Sequence, residues 1–242
     1  MENISKALFI NFGGIGDEIL FLPTLKSFKN KFPNTKITLA LEPRSKSIKD
    51  LTPLIDDVLL VDIKGKNKYF ELLKLVFLAR KGHYDIVISS GGNKLISVLL
   101  FFMGIKNRYG YNTGKLSQKL LTKAVPLIKN RYAGEMYHEL VKSLTNDDAQ
   151  LPKINTNSNQ EKELNSVVIH PGVSKMSVSK NMVKTYPPEK WIELINILLE
   201  KGKKVYLAGG PDDEEYIKAI SANFDENNTN FVNYYGKTKN IM

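Results

Sequence analysis

Short apolar runs alternate with longer, helix-periodic ones over the first part of the chain. "KALFINF" (6–12) predicts a buried strand, followed by a glycine loop and an apolar-periodic helix to about Phe32. "KITLALE" (36–42) predicts a second strand and "PRSKSIKDL" a short helix. "DDVLLVDI" (56–63) predicts a third strand, then the helix "YFELLKLVFLARKG" (69–82). "YDIVISS" (84–90) predicts a fourth, then an apolar helix to Met103, and "KNRYGYN" (106–112) a fifth. Such alternation implies a parallel sheet wound on both faces, with ligands bound beyond the carboxyl ends of its strands. Residues 113–145 read as helical and basic.

The polar, Asn-rich stretch 146–165 reads as a linker between a first domain, 1–145, and a second, 166–242. There the pattern restarts. A strand then a loop is expected over 166–172, a strand then a glycine turn over 203–211, a third strand over 230–236, and helices at 187–202 and 212–224. Pro187 suits a helix start and Trp191 core packing. Three strands and two long helices make the second domain read as an incomplete doubly wound unit, since such domains usually need about 100–150 residues.

Three motifs sit at strand–helix junctions. "GGIGDE" places Gly13, Gly14 and Gly16 beside Asp17. It is neither the dinucleotide fingerprint, since Ile19 stands where the third Gly belongs, nor a P-loop, which ends in Gly-Lys-Ser/Thr. Asp17 fits two roles: a helix cap, or a carboxylate at the sheet's carboxyl edge that takes a proton from a substrate hydroxyl. "HPGVSKMSVSKNMVKTYPPEKW" (170–191) offers Ser174 and Lys184 in a loop before a helix, groups that suit a diphosphate; an ordinary surface loop has the same composition. "LAGGPDDEEY" (207–216) offers Gly209 and Gly210 at a strand end, open to a ribose or base, with Asp213 or Glu214 for ribose hydroxyls. The alternative is a glycine turn with acids matched to the helix dipole. His138, alone on its helix, fits a packed residue as well as a catalyst.

Composition narrows the chemistry. The 242 residues include no Cys and three His without metal-ligand spacing, so no metal site is expected. The longest apolar run, 95–105, is shorter than the roughly 20 residues that span a bilayer, and no secretory signal is visible, so a cytoplasmic protein is expected. Net charge is +10, and from Ile86 to Gly134 there is no Asp or Glu, while Lys94, Lys106, Arg108, Lys115, Lys119, Lys123, Lys129 and Arg131 lie there. Such a segment attracts polyanions or anionic headgroups. No nucleic-acid motif accompanies it.

Taken in order, the glycine loop with Asp17, the His-Pro-Gly-x-Ser and Lys-x-Tyr-Pro segments with Trp191, and Gly-Gly-Pro with acids resemble glycosyltransferase family 9, the ADP-heptose:lipopolysaccharide heptosyltransferases and their relatives. The resemblance runs from about Lys6 to Thr238. It implies a GT-B fold of two Rossmann-like domains. It also implies an inverting, metal-independent and cofactor-free transfer of a heptose or related sugar from a nucleotide diphosphate, such as ADP-heptose, to the lipopolysaccharide core. By it, Asp17 is the general base, and Gly13, Gly14 and Gly16 let a sugar approach. Ser174 and Lys184 hold the leaving diphosphate, Gly209 and Gly210 face the nucleotide, and the basic segment meets phosphorylated core sugars or the anionic inner-membrane face. The loop before Lys184 is longer than the family pattern, which leaves Lys175 and Lys180 for the same role. Family members also continue into an Asp-x-Gly-x-x-His segment beyond the last residue here, so the second reading is an acceptor-binding relative without transfer activity. The Gly-x-x-Gly-x-x-Gly and Tyr-x-x-x-Lys pattern of nucleotide-sugar epimerases does not occur in place.

Overall fold

The computed structural model describes residues 3–128, 130–153, 163–172 and 185–237. The chain divides into two compact units, 1–156 and 157–241.

In the first unit six parallel strands form one sheet in the order β3-β2-β1-β4-β5-β6. They are β1 (Lys6–Ile10), β2 (Lys36–Leu41), β3 (Asp57–Leu60), β4 (Ile86–Ser89), β5 (Asn107–Asn112) and β6 (Lys123–Pro126). Phe9 of β1 stands beside Leu39 on one side and Ile88 on the other. Strand side chains alternate between faces, so β1 feeds two cores. Phe9 joins Phe21, Phe28 and Leu39 beneath α1 (Ile15–Lys31) and α5 (Ala133–Thr145). Leu8 and Ile10 join Val87, Leu75 and Leu100 beneath α2 (Lys68–Gly82) and α3 (Lys94–Phe102). Both faces are covered, which is why these strands read as unbroken apolar runs. Edge-to-face rings tie α1 down, with Phe9 and Phe28 centred 5.1 Å apart, and Phe21 and Tyr137 of α5 at 5.5 Å.

The expected all-helical stretch 113–145 is corrected: it holds α4 (Lys115–Leu120), then β6, then α5. β6 has four residues, opens on an exposed Lys and ends on Pro126, and it closes one edge of the sheet, where a proline costs no ladder bond. The predicted strands are also too long at their ends. Asn11 and Phe12 leave the sheet after β1, as Ser90 does after β4. Those departures open the region described below.

In the second unit β7 (Ser166–Ile169), β8 (Lys204–Leu207) and β9 (Phe231–Asn233) pair in parallel in that order. They carry α6 (Pro188–Glu200), a 3-10 turn (Pro211–Asp213) and α7 (Glu214–Ser221). The core is Ile169, Ile195, Val205, Leu207, Ile217, Ile220 and Phe231. Pro188 opens α6, where its missing N–H is no loss. Trp191 packs against the core and donates its indole N–H to Thr185 Oγ1 at 3.1 Å.

Candidate functional site

The sheet order reverses between β1 and β4, and in open parallel sheets that crevice is where ligands bind. A cavity of about 210 Å³ lies there, lined by residues following β1 (Asn11, Gly13, Asp17), by Ser89, Ser90 and Gly91 at the end of β4, and by Tyr137.

Asp17 occupies the third position of α1. Gly14 is the N-cap, so the reading of Asp17 as the N-cap is corrected: from inside the first turn its Oδ2 accepts the N–H of Gly14 at 2.9 Å, the return half of a capping box. Its Oδ1 accepts the hydroxyl of Tyr137 at 3.4 Å, and the carboxylate lines the cavity. The cap and the cavity-facing acid are therefore one arrangement: one oxygen anchors the helix start while the other is turned toward α5.

The glycines beside it do different things. A Cβ on Gly13 would lie 2.2 Å from the Cβ of Asp17 and 2.7 Å from its Oδ2, so bare backbone there makes room for the carboxylate itself. A Cβ on Gly14 would meet nothing nearer than the Arg44 guanidinium at 3.7 Å, and Gly16 faces open space. Gly13→Ala is accordingly expected to swing Asp17 off its Gly14 bond and cost about 1–3 kcal/mol of stability. Comparison of melting temperatures with Gly16→Ala, expected to be close to wild type, checks this.

A polar network supports the loop from beneath. Asn11 Nδ2 donates to Glu18 Oε2 and to the Asp17 carbonyl, both at 3.3 Å, and Ser90 Oγ donates to Asn11 Oδ1 at 2.7 Å. Glu18 is 1% exposed and its Oε1 has no hydrogen-bond partner. Burial pushes its carboxyl up to about 8, the Asn11 hydrogen bond opposes this, and the charge of Asp17 adds to it. Near pH 7 Glu18 is mostly neutral. Burial and the neighbouring Asp17 likewise push Tyr137 up to about 12, so it stays a phenol that can donate. Asn11, Ser90, Glu18 and Tyr137 were not expected from sequence. The available signal was the polar residue that follows each of the two central apolar strands.

The second unit repeats the device. Gly210 N–H donates to Asp213 Oδ2 at 2.7 Å, as Gly14 does to Asp17, and a Cβ on the preceding Gly209 would lie 3.1 Å from the Asp213 Cβ. A Cβ on Gly172 would lie 1.8 Å from Asp213 Oδ1, and His170 Nε2 stands 3.4 Å from Oδ2. Asp213 is 5% exposed. Of the two readings open for it, ribose ligand or acid of a glycine turn, its placement favours the second: it is the buried brace that holds the loop after β7 against the turn after β8. Gly209 and Gly210 are half-buried at that turn. Ser174 and Lys184, with Lys175 and Lys180, lie outside the described residues. Thr185, which follows them, donates its hydroxyl to the Pro171 carbonyl. A larger groove of about 960 Å³ in this unit is lined by none of His170, Gly209, Gly210 or Asp213.

His138 is packed between α5 and α1, 2.9 Å from Ser27 Oγ, and does not line the Asp17 cavity. Within the basic segment, Arg108 is a strut that donates to the carbonyls of Ile105 and Leu120, while Lys94, Lys106, Lys115, Lys119 and Lys123 are exposed. Among the described residues no group of three His, Asp or Glu side chains is placed to hold a metal ion.

A family model described as glycosyltransferase family 9 (heptosyltransferase) matches residues 74–239. The chain belongs to glycosyltransferase family 9. The matched span runs from α2 through the second unit, and the Gly13–Asp17 loop precedes it. Solved structures share the fold over nearly the whole chain. A family 9 glycosyl transferase from Veillonella parvula superposes with a TM-score of 0.78 at 21% identity, over 98% of this chain and 71% of that one. The E. coli ADP-heptose lps heptosyltransferase II gives 0.76 at 19%, over 96% and 73%. The E. coli heptosyltransferase WaaC with ADP gives 0.70 at 20%, over 94% and 74%. The comparison with curated proteins gave no match. Two Rossmann-like parallel units in succession are the GT-B type of fold that the sequence led us to expect of this family.

Proposed function

We propose that the protein transfers a heptose, or a closely related sugar, from a nucleotide diphosphate donor such as ADP-heptose to the lipopolysaccharide core, with inversion and without a metal. The observation that carries this reading is the Asp17 carboxylate, held by Gly14 and Tyr137 in the switch-point cavity of a chain that belongs to this family. The E. coli relatives solved with ADP and with ADP-2-deoxy-2-fluoro heptose support the donor class.

In the proposed reaction Asp17 takes the proton of an acceptor hydroxyl as that oxygen attacks the anomeric carbon of the donor. The bond from that carbon to the diphosphate breaks, and both its electrons leave with the nucleoside diphosphate. Attack opposite the leaving group in a single displacement inverts the anomeric centre. The open backbone at Gly14 and Gly16 leaves room for a sugar beside the base. Ser174 and Lys184 are assigned to the diphosphate, whose developing charge calls for a cation and hydrogen-bond donors. Gly209 and Gly210 are assigned to the nucleotide. The enzyme is placed in the cytoplasm, in peripheral contact with the inner membrane where its acceptor is anchored; among the described residues no helix is long and apolar enough to cross a membrane.

The test is release of ADP from ADP-heptose in the presence of a heptose-free core acceptor and EDTA. Release that needs both substrates and survives EDTA supports the proposal. Acceptor binding without ADP release would support the non-catalytic reading.

A further inference from the structure

A helix packed on a sheet normally turns polar residues outward. α2 does not. Tyr69, Phe70, Leu73 and Phe77 are 70%, 66%, 68% and 66% exposed. At 3.6 residues per turn these four fall within an arc of about 100°, well away from the buried Leu75 and Ala79. The helix thus carries two apolar stripes, one for its own core and one for something outside it. Its neighbour α3, packed on the same sheet face, adds exposed Leu95, Phe101 and Phe102. Monomeric proteins rarely leave so many large apolar side chains together in water.

The charges around the stripe decide what covers it. Lys68, Lys74, Arg80 and Lys81 flank it on α2, and Lys94 and Lys106 flank it on α3 and the turn that follows. The one acid of α2, Glu71, is tied to Lys74 at 3.9 Å, and α3 and α4 carry none. A second copy of the same face would set lysine against lysine with no acid to pair, which disfavours self-association. Aromatic and leucine side chains bordered by lysines match a membrane surface with anionic headgroups: the rings enter the boundary between headgroups and acyl chains while the lysines reach phosphate.

We infer that the α2–α3 face is a lipid-docking surface, which seats the first unit on an anionic bilayer through Phe70, Leu73 and Phe77. This deepens the peripheral-contact part of the proposed function and relocates its anchor. The lysines of the basic segment give electrostatic attraction, whereas the stripe on α2, outside that segment, together with the exposed apolar residues of α3, supplies insertion.

Co-sedimentation with vesicles tests it. The wild type is expected to bind phosphatidylglycerol-containing vesicles and not phosphatidylcholine alone. Phe70→Gln/Phe77→Gln, both exposed and expected to leave the melting temperature unchanged, should weaken binding at least about tenfold. Lys94→Gln/Lys106→Gln should weaken it mainly at low salt, where headgroup attraction is least screened. Asp17→Asn should bind vesicles like the wild type, which separates this inference from the catalytic reading. Failure of the wild type to bind anionic vesicles would overturn it. So would undiminished binding by the folded phenylalanine variant, or a wild-type dimer that this variant converts to monomer without any vesicle binding.

Discussion

Asp17→Asn is expected to lower the rate of sugar transfer by about 10²–10⁴-fold while the fold remains intact. Asn keeps a carbonyl oxygen that accepts the Gly14 N–H, so the start of α1 stays capped, and it keeps the volume that Gly13 vacates. What it loses is the ability to take a proton. Asp17→Ala removes the cap as well, at about 0.5–2 kcal/mol. Transfer rates and melting curves measured on both variants separate the two roles. Two inactive variants of which only Ala is less stable would show an acid that both caps and catalyses. Equal activity in Asn and wild type would leave Asp17 as a cap alone.

The second large effect concerns Glu18 and has a definite sign. Its carboxyl titrates near 8 in the folded protein, against 4.5 when solvated. Below about pH 4.5 it is protonated in both states and contributes no pH dependence. Between there and about pH 8 the unfolded chain loses its proton and the folded one keeps it, so the unfolded state binds fewer protons and stability falls as pH rises. Each tenfold difference in proton affinity between the two states is worth about 1.36 kcal/mol, so the loss across that window is on the order of 3–5 kcal/mol. Glu18→Gln replaces the neutral acid by a neutral isostere that still accepts from Asn11. The variant is expected to gain stability over the wild type steadily from pH 5 to pH 8. Denaturant unfolding of both proteins across that range reads the difference directly, since the other titrating groups cancel. A difference that stays constant with pH would mean that Glu18 ionises like a surface carboxylate.

Much of this architecture was legible because it is local. A strand buried on both faces must be a continuous apolar run, and β1, β2 and β4 each show one. The Gly13–Asp17 loop was legible for the same reason: cap donor, capping acid and the glycine that clears space for it lie within five residues. What escaped depends on packing between distant segments. β6 was missed because a four-residue edge strand with Lys at one end and Pro at the other has no apolar signature. Tyr137 was passed over for His138, one position on. Only the seating of α5 against α1 turns the tyrosine to Asp17 and the histidine to Ser27. Glu18 drew no reading of its own, because its burial comes from the sheet beneath. For Asp213 the readings as ribose ligand and as turn acid both stayed open, because its contact with the Gly172 loop crosses between strands.

These corrections bear on function. Asp17 and Asp213 use the same Gly-x-x-Asp device, but of the two only Asp17 lines a cavity at a switch point. The proton-taking role is therefore proposed for Asp17, while Asp213 braces a loop.

The most direct test of the account is the mass of a heptose-free core acceptor after incubation with ADP-heptose and the protein. The account predicts a gain of one heptose with the wild type and none with Asp17→Asn over the same time. An acceptor that gains no heptose from the wild type, or as much from Asp17→Asn, would contradict it.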